Sequence, residues 1–147
     1  MVRRPPADPL ITTAAMAALE KKAEEIALLD LRGLSDVTDY FLICHGRSGR
    51  QVQTIADNIE RVLREGHRRP NHVEGYARGE WILMDYLDFV IHVFTVERRG
   101  YYALERLWGD APRVAVRSTA GRARRRSEGG DAGDAIEVPD DSAEEPA

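Results

Sequence analysis

At 147 residues, with 43% hydrophobic and 31% charged side chains, the chain has the size and balance of one globular domain, which excludes fibrous and membrane-embedded classes. No apolar run approaches the roughly 18 residues that a bilayer span needs, and no compact apolar segment follows the basic start Met1-Val2-Arg3-Arg4, which argues against a signal peptide. The formal net charge of −4 hides a division, because six arginines and no acids lie from Arg113 to Arg126, and eight acids and no bases from Ser127 to Ala147. Taking these from the totals of 21 basic and 25 acidic residues leaves 15 against 17 upstream, a near-neutral body without the basic surplus of a dedicated nucleic-acid domain. The single cysteine, Cys44, rules out an internal disulfide and points to a reducing cytosol.

Residues 1 to 11 carry three prolines and little pattern, and read as a frayed lead-in. Thr12 or Thr13 then suits the cap of a helix over Ala14 to Glu25, with Met16, Leu19 and Ala23 on one face. The apolar run from Ile26 to Leu31, bounded by Arg32-Gly33, predicts a buried strand. Tyr40 to His45 predicts a second, and its lack of polar alternation implies a central strand covered on both faces. Ser48 followed by Gln51 forms a capping box ahead of Val52, Ile55, Ile59, Val62 and Leu63, and Gly66 stands where a helix terminates.

A polar loop is expected from His67 to Gly79. Trp81 to Asp85 and Phe89 to Thr95 read as two strands joined by a tight turn around Tyr86-Leu87. A last helix is expected near Tyr101 to Trp108, with Tyr101, Leu104 and Trp108 on one side. Beyond Gly109 the apolar periodicity ends, and residues 110 to 147 read as a disordered tail, basic and then acidic. The expected organisation is therefore a lead-in over 1–11, one domain over 12–109, and the tail; the expected class is α/β, a small mixed sheet with packed helices.

The turn His45-Gly46-Arg47-Ser48-Gly49-Arg50 lies between a strand and a helix, where backbone N–H groups favour anions. It lacks the spacing of a phosphate loop and of a nucleophile elbow, and helix capping already employs Ser48. A nucleotidyl-transferring enzyme would need carboxylates an even number of residues apart on one strand to share a metal. Asp85 and Asp88 are three apart and flank a turn, so no catalytic residue, metal or cofactor is expected. The four histidines show no ligand spacing. His92 alternates with Val90 and Phe94, which fits a hydrogen-bonded structural histidine or a place at a recognition surface. Cys44 reads as a small core residue. Trp81 opens a strand after a glycine-bearing loop, a position for core packing or for a half-exposed binding anchor. With Asp85, Tyr86 and Asp88 it forms an aromatic and acidic group better suited to a basic protein than to RNA phosphate. Arg122 to Arg126 read as solvated.

Several segments together carry a resemblance: Asp30-Leu31-Arg32-Gly33-Leu34-Ser35, Thr38-Asp39-Tyr40-Phe41, Cys44-His45-Gly46-Arg47-Ser48, Trp81-Ile82-Leu83-Met84-Asp85, Asp88 to Phe94, and Tyr102 to Trp108. In order and spacing they resemble the Iojap-related ribosomal silencing factors, from about residue 14 to 109. The resemblance implies a fold distantly similar to nucleotidyltransferases without their catalytic carboxylates. It implies docking on the large ribosomal subunit, through the basic ribosomal protein numbered fourteen at the intersubunit face, and steric exclusion of the small subunit when nutrients are scarce. Large-subunit assembly is the alternative role, since organellar relatives act there, and some members form homodimers. No membrane contact and no specific nucleic-acid site are implied. The resemblance carries the recognition surface over to Trp81, Asp85, Tyr86 and Asp88; with Leu87 and His92 these are the expected partner-binding residues. Relatives commonly read Asp-x-Gly-Asp where this chain has Asp85-Tyr86-Leu87-Asp88. If the turn needs a positive φ, leucine costs roughly 1–2 kcal/mol there; either the turn shifts, or Leu87 becomes an added apolar contact.

Overall fold

The computed structural model describes residues 9–114. The first helix, α1, spans Pro9–Glu20, earlier than the expected Ala14 to Glu25. Proline suits the first turn of a helix, where its missing N–H has no partner to lose. Thr13 does not cap; its hydroxyl donates 3.1 Å back to the Pro9 carbonyl. The buried face is Ile11, Ala14, Ala15, Ala17 and Ala18, small residues that let the helix lie close to its neighbour, so Met16 and Leu19 are only half-buried. The helix stops because Lys22 adopts a left-handed φ of 66°. Bonds from Ala23 N–H to the Ala18 carbonyl (3.1 Å) and from Lys22 N–H to that of Leu19 (2.9 Å) close the end in a Schellman motif.

The strand β1, Glu24–Asp30, follows, with a bulge between Glu24 and Ala27 where Glu25 has φ 47°. Next come β2, Tyr40–Gly46, and the long helix α2, Gly49–Glu65. The capping box is present in altered form. Ser48 Oγ accepts from Gln51 N–H at 3.1 Å, while the Gln51 side-chain oxygen accepts from Arg47 N–H at 2.7 Å, not from that of Ser48. At the other end Gly66 is the cap, but the left-handed residue is His67, φ 65°. Arg68 N–H to the Leu63 carbonyl and His67 N–H to that of Arg64, both 2.9 Å, make a second Schellman motif.

The expected polar loop contains a short strand, β3, His72–Glu74, followed by β4, Trp81–Asp85, and β5, Phe89–Thr95. All three residues of β3 are exposed, so it carries no burial pattern in sequence. The expected single last helix is two: α3, Val96–Tyr102, capped by Thr95, and α4, Leu104–Leu107, separated by Ala103 in a left-handed conformation of φ 46°. A final strand, β6, Arg113–Val114, lies within the segment read as tail, and Ala111 before it is buried. Arg122 to Arg126 and the acidic remainder lie outside the described residues.

The strands form one mixed sheet in the order β3-β4-β5-β2-β1-β6. Only β2 and β5 pair in parallel, at its centre, which accounts for their unbroken apolar sequences. The α/β class with helices packed on a mixed sheet is thus present. On one face α1 and α2 cover a core of Leu28, Leu42, Cys44, Ile82, Met84, Phe89, Ile91 and Val93. The opposite face has a smaller cluster of Ala27, Leu29, Leu31, Ile43, Phe94 and Ala111, against which Phe41, Trp81, Leu104 and Trp108 are only partly buried.

Candidate functional site

The thinly covered face positions Trp81. The preceding loop doubles back at Gly75, φ 82°, where a Cβ would stand 2.0 Å from the Trp81 carbonyl oxygen, so only glycine permits that approach. The indole N–H donates to His92 Nδ1 at 3.1 Å, and the ring stacks on Phe94 at 5.0 Å and against Tyr102 at 4.4 Å. His92 is 3% exposed, and burial pulls its imidazole down to about 3. The ring is therefore neutral, and because Nδ1 accepts from the indole, its proton resides on Nε2. Nε2 has no hydrogen-bond partner among the described residues. His92 thus orients Trp81 from beneath and presents almost no surface of its own.

Tyr102 is held against Trp81 by a network at the strand ends. Arg99 donates to His45 Nδ1 at 3.0 Å and pairs with Glu105, and His45 Nε2 lies 3.2 Å from Glu24. Burial raises the Glu105 carboxyl, and the hydrogen bond and charge of Arg99 outweigh it, leaving the group below its ordinary value. His45 is lowered, first by burial and then by the Arg99 charge. Arg99 therefore ties α3 and α4 to β1 and β2 across the break at Ala103.

At the other end of β4 the chain turns through Asp85-Tyr86-Leu87-Asp88. Leu87 takes φ 72°, so the turn keeps the left-handed geometry that glycine would adopt freely. Asp85 Oδ1 accepts from Leu87 N–H at 2.8 Å, Asp88 N–H donates to the Tyr86 carbonyl at 2.8 Å, and Tyr86 N–H donates to that of Phe89 at 2.9 Å. Leu87 is 58% exposed. Arg68 donates to the Tyr86 carbonyl at 2.9 Å and to Asp88 at 3.3 Å. The Tyr86 side chain points the other way: it is 1% exposed, stacked on Phe89 in the helix-covered core, and burial raises its phenol. Of the six expected site residues, Trp81, Asp85, Leu87 and Asp88 offer side-chain surface; Tyr86 and His92 do not.

A second loop belongs to this turn. Thr38 Oγ1 donates to the Leu87 carbonyl at 2.9 Å, and Asp39 N–H to that of Asp88 at 3.0 Å. Sequence reasoning did not connect them, although the apolar Leu34 and Val37 amid Gly, Ser and Asp were the available signal.

The turn ahead of α2 is occupied with structure. Besides the cap, Gln51 Nε2 donates to the carbonyls of Lys21 and Lys22, both 3.1 Å, joining the end of α1 to the start of α2. Cys44 is fully buried, and burial pushes its thiol up to about 12. Among the described residues no helix is long and apolar enough to cross a membrane.

Fold and geometry define a small α/β domain with one sheet face closed by two helices and the other carrying a half-buried tryptophan and an acidic turn. The chain belongs to the family described as ribosomal silencing factor during starvation, whose model matches residues 4–139. A ribosomal silencing factor RsfS of Halalkalibacterium halodurans is 46% identical over 107 residues, 73% of this chain and 92% of the relative. One of Bacillus subtilis is 48% identical over 103 residues, 70% of this chain and 87% of the relative. A crystal structure of a Chromobacterium violaceum protein superposes with TM-score 0.67 at 33% identity, covering 69% of this chain and 84% of that one. A mouse relative, 27% identical over 92 residues, 60% of this chain and 40% of the relative, is named mitochondrial assembly of ribosomal large subunit protein 1.

Proposed function

We propose that this chain is a non-catalytic docking factor of the cytoplasm. It binds the large ribosomal subunit through the basic ribosomal protein numbered fourteen at the intersubunit face, and its bulk keeps the small subunit from joining, lowering translation under nutrient limitation. The observation that carries this reading is Trp81, half-buried and locked by His92, on the same strand as the acidic turn. A fixed aromatic on a strand that ends in carboxylates suits a basic protein surface, because a preordered indole loses little entropy on binding. Blocking an interface needs affinity and bulk, and requires no bond to be made or broken.

Trp81, Asp85, Leu87 and Asp88 make contact; His92 acts by holding the indole, and Tyr86 contributes only its backbone. The folded region 9–114, which is wider than the domain read over 12–109, is the part that docks. Co-sedimentation with purified large subunits tests this: the protein migrates with them and reduces their joining to small subunits. Trp81→Ala weakens binding by roughly 2 kcal/mol, about thirty-fold. Failure of the intact protein to co-sediment sinks the proposal, and unchanged affinity of a folded Trp81→Ala variant removes Trp81 from the contact. Sedimentation of the free protein separates a monomer from the homodimer that some relatives form.

The mouse relative's name favours a second reading, large-subunit assembly. Preferential binding to immature over mature large subunits distinguishes it from silencing.

A further inference from the structure

Two loops meet at one end of the sheet, and both hold aliphatic side chains in solvent. Leu87 is 58% exposed, Val37 85% and Leu34 45%, and none belongs to either core cluster. The loops are tied by the Thr38 hydroxyl on the Leu87 carbonyl and by Asp39 N–H on that of Asp88, while Ser35 Oγ accepts from Val37 N–H at 3.1 Å. The aliphatic residues are therefore displayed on a braced support. Leu87 is held there against its backbone preference: at φ 72° an L-residue is strained, and glycine would form the same turn without strain. An exposed, strained leucine with no place in the core is unexplained by folding alone.

Carboxylates outnumber the cations around it. Asp36, Asp39 and Asp88 are exposed and Asp85 half-buried, whereas Arg32 is committed to Asp30 and Arg68 to Asp88 and the Tyr86 carbonyl. The excess carboxylate disfavours nucleic-acid phosphate and favours lysine or arginine.

We infer that the loop Leu34 to Asp39 and the turn Asp85 to Asp88 form a single contact surface for a basic protein segment, with Leu87, Val37 and Leu34 packing on its exposed apolar side chains. This rests on the docking reading above and extends it by a loop that was not among the expected site residues. The carboxylates supply attraction to the cationic partner, and the three aliphatic groups supply an apolar centre that a purely electrostatic encounter would lack.

The test uses the full chain and purified large ribosomal subunits, with affinity measured at several salt concentrations for wild type, Trp81→Ala, Val37→Ser and Leu87→Gly. Val37→Ser alters an exposed side chain, and Leu87→Gly relieves the turn, so neither threatens the fold. The expected result is a roughly ten-fold loss of affinity for Val37→Ser and for Leu87→Gly, with Leu87→Gly melting no lower than wild type, and weakening of wild-type binding as salt rises. Wild-type and Trp81→Ala behaving as proposed, while Val37→Ser and Leu87→Gly bind like wild type, overturns this inference alone. Wild-type protein that does not bind overturns both. Binding competed by RNA and indifferent to both variants assigns the contact to nucleic acid elsewhere on the protein and also overturns it.

Discussion

The hydrogen bond from Trp81 to His92 sets the indole in place only while the imidazole is neutral. The folded His92 titrates near 3 against an ordinary 6.5, because burial opposes its charge. Above pH 6.5 the group is neutral in both states and contributes no pH dependence. As pH falls below 6.5 the unfolded chain takes up a proton that the folded chain refuses, so stability drops, by up to about 1.4 kcal/mol per pH unit, until the pH nears 3. His45 is depressed in the same direction and adds to this loss. Thermal unfolding followed between pH 7 and 4 should show a falling midpoint, and His92→Gln should flatten the slope. A wild-type midpoint independent of pH over that range refutes the account. At this scale the sequence was half legible. Trp81, Leu83 and Asp85 alternate with Ile82, Met84 and Tyr86, and the second set is buried. Extending that alternation by one residue puts Tyr86 inside, whereas grouping it with the carboxylates by chemistry put it on the surface. Nothing in the sequence indicated that the His92 ring would meet the indole, since that depends on the register Leu83 opposite His92.

Both long helices end in left-handed residues that are not glycine, Lys22 and His67. At α2 the local signal misled by one position: Gly66 is the cap, but φ there is −92°, and the positive φ falls on His67. Exposed His67 makes no contact that requires its ring among those described. His67→Gly should therefore stabilise the protein by about 0.5–1 kcal/mol, the steric relief exceeding the greater unfolded-state entropy of glycine. Urea denaturation measures it, and a destabilised variant contradicts the reading. The elements that were legible, β2, α2, β4 and β5, carry their own period and boundaries. Those that were not depend on partners. β3 and β6 are strands only because β4 and β1 offer edges to pair with. Likewise, Arg99 bonded to His45 and paired with Glu105 accompanies the break of the last helix at Ala103.

At the scale of the molecule, the parallel pair β2 and β5 joins residues about fifty positions apart, Tyr40 with Phe89, and brings the loop before β2 against the turn before β5. The proposed docking surface is thus assembled by topology, not by any contiguous segment. This explains why the segments around 34–39 were legible as part of the family match while their meeting with the turn was missed. The same view fixes where the tail can be cut. Ala111 is buried and Arg113–Val114 pairs with β1, so removal after Asp110 would strip an edge strand. Deleting residues 115–147 should leave large-subunit binding within about two-fold of wild type, as co-sedimentation would show. A large loss assigns the arginine block a role in binding.

Cys44 stands in that central pair, opposite Val93, sealed on both sides and with its thiol raised to about 12. A thiol so placed is chemically silent in the closed protein and reacts only when the middle of the sheet comes apart. The chain therefore carries its own clock: the pace at which a thiol reagent consumes its one cysteine counts how often the fold opens, with the ribosome bound or absent, and without any label being introduced.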